Sequence, residues 1–185
     1  HSDPLTFVAI RLCFATLAVT LLALALRVPL PRGRAIPHSV VSGVLVHGMY
    51  LTGVAVAMAQ GMPAGIAALV VGLQPVLTST LANRFLGERV SALQWGGLAL
   101  GLIGLWLVVQ AKVSGDTTLW GWSAIVGSLV GITVGTLYQK RFGGGVDFLS
   151  SMPIQYASAA VFAGIGAFAL EARNVNWTGE FVFAV

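Results

Sequence analysis

Charge is what this sequence is short of. Of its 185 residues, 9% are Asp, Glu, Lys or Arg, and none of these occurs between Arg34 and Arg84. Soluble domains carry about 25% charged residues, and a chain of this size still exposes much of its surface. Water is thereby excluded as the main solvent. Cysteine is nearly absent too: the single Cys13 rules out an internal disulfide and reads as a small packing residue. No HExxH, no Cys/His cluster and no GxxxxGK[ST] loop occurs; the glycine triplet at 143–145 lacks the Lys-Ser/Thr ending. No serine sits in a nucleophile elbow. All six acidic residues fall in loops or at the edges of apolar runs, so no carboxylate proton relay is expected inside a span. Metal, cofactor and enzymatic chemistry find no support.

What remains is apolar. Hydrophobic residues make up 57% of the chain, mean hydropathy is +0.89, and there are 23 glycines. These values point to an integral membrane protein. A formal charge of +4 would suit nucleic acid, but the basic residues are scattered between apolar runs rather than gathered on one face. The lipid bilayer is the expected partner, and nucleic acid is not. The chain opens on His1 and closes on "FVFAV", the start of another apolar run, so it is expected to be a piece of a longer protein.

A bilayer core of roughly 30 Å takes about 20 helical residues to cross. The first span reads from Leu5 to Leu26, and "RVPLPRGRAIP" (27–37) follows as a loop. The uncharged stretch 35–83 is too long for one crossing and suits two, with "QGMP" (60–63) as the turn. Further spans lie between Arg89 and Lys112, Asp116 and Lys140, and Asp147 and Glu171, with a seventh starting near Phe181. Long continuous apolar runs make these helices rather than barrel strands.

Loops after odd-numbered spans carry Arg27, Arg32, Arg34, Arg84, Arg89, Lys140 and Arg141; loops after even-numbered spans carry Lys112 and Arg173. By the positive-inside rule the first set faces the cytoplasm. The turn with Arg84, Glu88 and Arg89 is then an inner elbow that resists translocation. Trp106, Trp120, Trp122 and Trp177 gather near the outer boundary and Trp95 near the inner one, as an aromatic belt does.

Small residues mark contacts between membrane helices. Gly127, Gly131 and Gly135 recur at four-residue spacing, as do Gly61/Gly65 and Gly97/Gly101, with Gly104 extending the last face. Packing within the chain is expected, and a homodimer through the Gly97 face is a second use. Polar groups at mid-depth carry more information, because their burial must be offset. His47 lies mid-span with Tyr50 at i+3, on the same helical face. Gln74 lies mid-span immediately before Pro75, and a proline there deprives the Val71 carbonyl of its donor. A broken helix at this depth is tolerated where it meets protein or a water-filled cavity. Gln74, Pro75, His47 and Tyr50 are therefore candidate solute-binding residues, against a plain kink and a packing histidine. Arg11 is either a counter-ion at the site or a group reaching the outer headgroups. Thr78, Thr133 and Thr136 are expected to bond to carbonyls of their own helices.

Asp3 and Arg11 have the same spacing as Asp147 and Gln155, each at the start of an apolar helix. The two helices should run in opposite directions, as in an inverted repeat. Here the chain resembles the EamA family of the drug/metabolite transporter superfamily. The resemblance rests on "DPLTFVAIRLCFA" (3–15) and on "GLQPVLTSTLANRFLGERVSALQWGGLALGLIGLWLVV" (72–109), with Pro75, the Gly87-Glu88 turn and the glycine-rich helix after it. It implies an all-α, polytopic membrane helix bundle, part of a ten-helix carrier built from two inverted five-helix repeats. Residues 1–111 would be the first repeat without its first helix, and 112–185 a truncated second repeat. It further implies a bacterial inner-membrane secondary carrier that exports amino acids, metabolites or other small organic solutes by alternating access, without a cofactor. A non-transporting scaffold or assembly protein is the alternative.

Overall fold

The computed structural model describes residues 3–86, 91–109, 117–143 and 147–172, and every regular element among them is a helix. α1 spans Pro4–Ala25, with Pro4 in the first turn, where its missing N–H costs nothing. It ends in a left-handed turn: the Val28 N–H donates to the Ala23 carbonyl and the Arg27 N–H to that of Leu24, with Arg27 at φ 55°. The second crossing is α2 (Ala35–Gly43), a π-helical turn (Val44–Met49) and α3 (Tyr50–Ala59). α3 stops as α1 does, Met62 donating to Ala57 and Gly61 to Met58, with Gly61 at φ 88°. Gly61 is thus a turn residue, not the start of a helical stripe with Gly65.

The third crossing is broken in two. α4 (Ala64–Val71) and α5 (Gln74–Leu86) meet at a turn through Gly72 and Leu73. α6 (Ala92–Val109) begins with a reciprocal cap, Ser91 and Gln94 each bonding the other's backbone N–H. α7 (Leu119–Phe142) is capped by the Thr118 hydroxyl and carries Lys140 and Arg141 in its last turn, where the helix dipole favours cations. α8 (Phe148–Leu170) is capped by the Asp147 carboxylate.

Five runs are long and apolar enough to cross a membrane: Pro4–Ala25, Ala35–Ala59, Ala64–Ala82, Leu119–Phe142 and Phe148–Leu170. α6, expected as a sixth, has 18 residues, about 27 Å at 1.5 Å per residue. The Arg84–Arg89 elbow, the boundary near 111, Gly144 with Gly145, and the start of a seventh span near Phe181 lie outside the described residues or side chains.

The distribution of polarity is that of a chain in lipid. Leu24 is 63% and Phe168 75% exposed, whereas Ser128, Thr133 and Gln155 are at most 2% exposed. Helix contacts are made by small residues. Val8 and Leu12 of α1 meet Ala159 and Ala163 of α8, and Ala57, Ala67 and Ile125 join α3, α4 and α7. A Cβ at Gly53 would overlap the Ser128 hydroxyl, and one at Gly131 or Gly135 would crowd Met49 or Leu45 and Val46. The α7 stripe therefore seats the second crossing, while a Cβ at Gly127 or at the α6 glycines Gly97, Gly101 and Gly104 would meet nothing within 4 Å among the described residues. Thr136 bonds to the Ile132 carbonyl as expected, but the Thr133 hydroxyl is buried without a partner and Thr78 accepts from Gln74 instead.

The two ends of the bundle sort as the charges require. Thr118 bonds to Gln60, and Leu5 and Thr6 bond to Glu171, at one end. Ser150 bonds to the Pro29 carbonyl, and His38 to Tyr138, at the other, where Arg27, Arg32, Arg34, Lys140 and Arg141 also lie. α1 and α8 are antiparallel along their length. Their end contacts are related: the first-turn hydroxyl of each helix, Thr6 or Ser150, bonds to a residue just past the end of the other.

Candidate functional site

A cavity of about 460 Å³ opens beside the break in the third crossing. Tyr50, Val54 and Met58 of α3 form one wall, Ala67, Ala68 and Val71 of α4 another, and Gly72, Gln74 and Pro75 its polar end. Its shape follows from the backbone. Pro75 has no N–H and cannot close a helical bond to Val71, so the chain turns at Gly72 and Leu73 and restarts as α5 at Gln74. The Gln74 amide donates to the Thr78 hydroxyl at 3.2 Å, which holds the side chain one turn along its own helix. Its carbonyl oxygen is left for another donor.

Of the candidate residues, Gln74, Pro75 and Tyr50 share this cavity. His47 does not line it. Its ring stacks on Tyr156 of α8, with centroids 4.5 Å apart and planes 20° from parallel. In an α-helix residues three apart share a face, but His47 lies in the π-helical turn, whose bonds run to i+5 and which holds more residues per turn. That turn swings His47 toward α8 and leaves Tyr50 toward α4. The Tyr50 carbonyl accepts from the buried Ser128 hydroxyl at 2.8 Å, which pins the helix just past the bulge to α7. Arg11 is exposed on α1, flanked by exposed Cys13 and Phe14, and lines neither this cavity nor the one at the inner end.

A second polar feature lies at the inner end, and sequence reading passed over it. His38, Ser39 and Ser42 of α2, Gln139 and Phe142 of α7, and Ser151 and Gln155 of α8 surround about 180 Å³. His38 Nδ1 lies 2.6 Å from the Tyr138 hydroxyl, and its ring lies flat on Phe142. The signal was present as spacing: His38 with Ser42, and Ser151 with Gln155, are each four apart and so share a face. Only the fold brings the two faces together. Among the described residues no group of three His, Cys, Asp or Glu side chains is placed to hold a metal ion.

Comparison with known proteins agrees with this architecture. The profile of the EamA-like transporter family matches residues 1–110. The chain is 29% identical over 187 residues to the uncharacterized transporter YvbV of Bacillus subtilis, covering 98% of this chain and 60% of that protein. It is 29% identical over 139 residues to the uncharacterized inner membrane transporter YedA of Escherichia coli K12, covering 75% and 44%. A Salmonella typhimurium protein named as a probable amino-acid metabolite efflux pump is 29% identical over 82 residues, covering 44% and 27%. The chain therefore spans three-fifths or less of the length of these relatives. No solved structure matches it. A profile matched over more than half of the chain and a bundle of lipid-facing apolar helices lead to one conclusion: this multi-pass membrane protein belongs to the EamA-like transporter family.

Proposed function

We propose that the chain forms much of a secondary carrier, in a bacterial inner membrane, that exports a small organic solute such as an amino acid or related metabolite by alternating access. The observation that carries the reading is the mid-depth cavity at the helix break. Tyr50 from one crossing and Gln74 from another face it, and an unwound backbone adds carbonyls that no helix uses. The Gln74 carbonyl and the carbonyl freed by Pro75 would accept hydrogen bonds from the solute, and the Tyr50 hydroxyl would complete the opposite wall. His47, stacked on Tyr156, would carry movement of α8 to the π-helical turn and so to Tyr50. Arg11, exposed on α1 and lining neither cavity, is assigned to the headgroup region.

The related end contacts of α1 and α8 support a ten-helix carrier of two inverted repeats, with these helices in equivalent places. The open Gly97–Gly101 face of α6 would take a further helix of the same protein or of a second copy. The test is transport by the full-length protein in liposomes, with a panel of radiolabelled amino acids. Gln74→Ala and Tyr50→Ala should each lower uptake by about tenfold or more, as lost solute hydrogen bonds do. Wild-type transport in both variants would remove the site assignment, whereas no transport of any panel solute by the unaltered protein, with no labelling of a Gln74→Cys thiol by water-soluble reagents, would leave the scaffold reading in its place.

A further inference from the structure

The inner pocket between α2, α7 and α8 is built like a binding site. Its walls include Ser42 and Gln155, 3% and 2% exposed. The Gln155 amide donates to the Ser151 hydroxyl at 2.9 Å, and Ser151 in turn donates to the Phe148 carbonyl, so one side of the Gln155 amide is held and its oxygen is free. Ser39 uses its proton on the Ala35 carbonyl and offers only lone pairs. Ser42 and Gln139 make no side-chain hydrogen bond among the described residues. Buried polar groups are ordinarily paired, and an unpaired one in a cavity points to water or ligand. The floor is closed by backbone contact: a Cβ at Gly43 would overlap the Gln155 carbonyl, so α2 and α8 touch there with no room for a side chain.

We propose that this pocket is a second solute subsite, at the inner end of the carrier, for a small net-neutral compound bearing both hydrogen-bond donors and acceptors, such as an amide or a zwitterion. It rests on the carrier reading above. Among the described residues no Asp, Glu, Lys or Arg side chain lines the pocket, so an isolated ion would enter without a carboxylate, ammonium or guanidinium counter-charge. Both kinds of hydrogen-bonding group face the space: the Ser42 hydroxyl and the Gln139 amide serve as donors, and the Gln139 and Gln155 oxygens and the Ser39 lone pairs as acceptors. The flat His38–Phe142 stack gives the solute an apolar wall. At 180 Å³ and about 30 Å³ per water, the space suits a compound the size of a small amino acid.

The test uses the full-length protein with Cys13→Ser and Ser42→Cys, in inside-out membrane vesicles, and a membrane-impermeant methanethiosulfonate. Modification should proceed from the cytoplasmic side. L-alanine and acetamide should slow it, by about tenfold at ten times the dissociation constant, while acetate and methylammonium do not. Gln139→Cys serves as a second position if Ser42→Cys fails to assemble. A thiol unreactive at both positions, or reactive but protected by no neutral compound or equally by the ions, overturns the subsite. Failure of the mid-depth site would look different: Gln74→Ala and Tyr50→Ala would transport normally while protection at Ser42→Cys persisted.

Discussion

At the residue scale, two helix ends share one geometry and place different demands on their residues. Gly61 takes φ 88° without strain, whereas Arg27 holds φ 55° against a clash of its Cβ. Gly61→Ala should destabilise the protein by about 1 kcal/mol, and Arg27→Gly should stabilise it by up to about 1 kcal/mol. Thermal unfolding in detergent reads both, and equal shifts of one sign would contradict the assigned turns. Gly53 is a stricter case. Its Cα lies so close to Ser128 that a side chain would push α3 from α7 and break the Ser128–Tyr50 bond. Gly53→Val should cost about 1–3 kcal/mol by overpacking, and Gly97→Val, facing open space, much less in the isolated chain.

At the scale of elements, the antiparallel pair α1–α8 is fastened unequally at its two ends. Outside, the Glu171 carboxylate accepts from the Leu5 and Thr6 backbone N–H groups at 2.6 and 2.7 Å, and from the Thr6 hydroxyl at 2.8 Å. A carboxylate at a helix N-terminus gains from both the orphan donors and the dipole. Inside, the pair has the Ser150 bond to the Pro29 carbonyl. Charge-assisted bonds are the stronger kind, so separation of the outer ends is the harder motion. Glu171→Gln removes the charge and one acceptor and should cost about 1–3 kcal/mol, with Thr6→Val costing less. In the carrier it should also raise reactivity of an outer-facing thiol at Thr6→Cys; unchanged stability and reactivity would show that Glu171 does not hold the pair.

For the whole molecule, lipid is the condition that makes the arrangement intelligible. Apolar side chains such as Leu24, Val161 and Phe168 face outward, while serine and threonine hydroxyls turn inward. In hydrocarbon the exposed apolar faces need no cover, and unbonded backbone groups are forbidden unless they border protein or water. The break at Gly72–Leu73 accordingly borders a cavity lined by Gly72, Gln74 and Pro75. Sidedness gives a direct check. A thiol at Arg32→Cys should react with impermeant reagents only in inside-out vesicles, and one at Gln60→Cys only in right-side-out ones. The reverse pattern would invert the whole assignment.

Five of the crossings, and the gathering of basic residues at one end of the bundle, were legible in the sequence, because each follows from local composition. Apolar length sets a span, Gly61 and Pro63 stop one, and arginine content chooses a side. The break at Gln74-Pro75 was legible for the same reason, since the missing N–H belongs to the proline itself. Which polar groups face each other was not. The π-helical turn between Val44 and Met49 parts His47 from Tyr50, and no residue within it announces that change of twist. The inner pocket joins His38 to Tyr138, and Ser42 to the neighbourhood of Gln155. The outer clasp joins Thr6 to Glu171. Such pairings depend on how helices far apart in the chain settle against one another, and that is a matter of small-residue packing which only the assembled bundle decides.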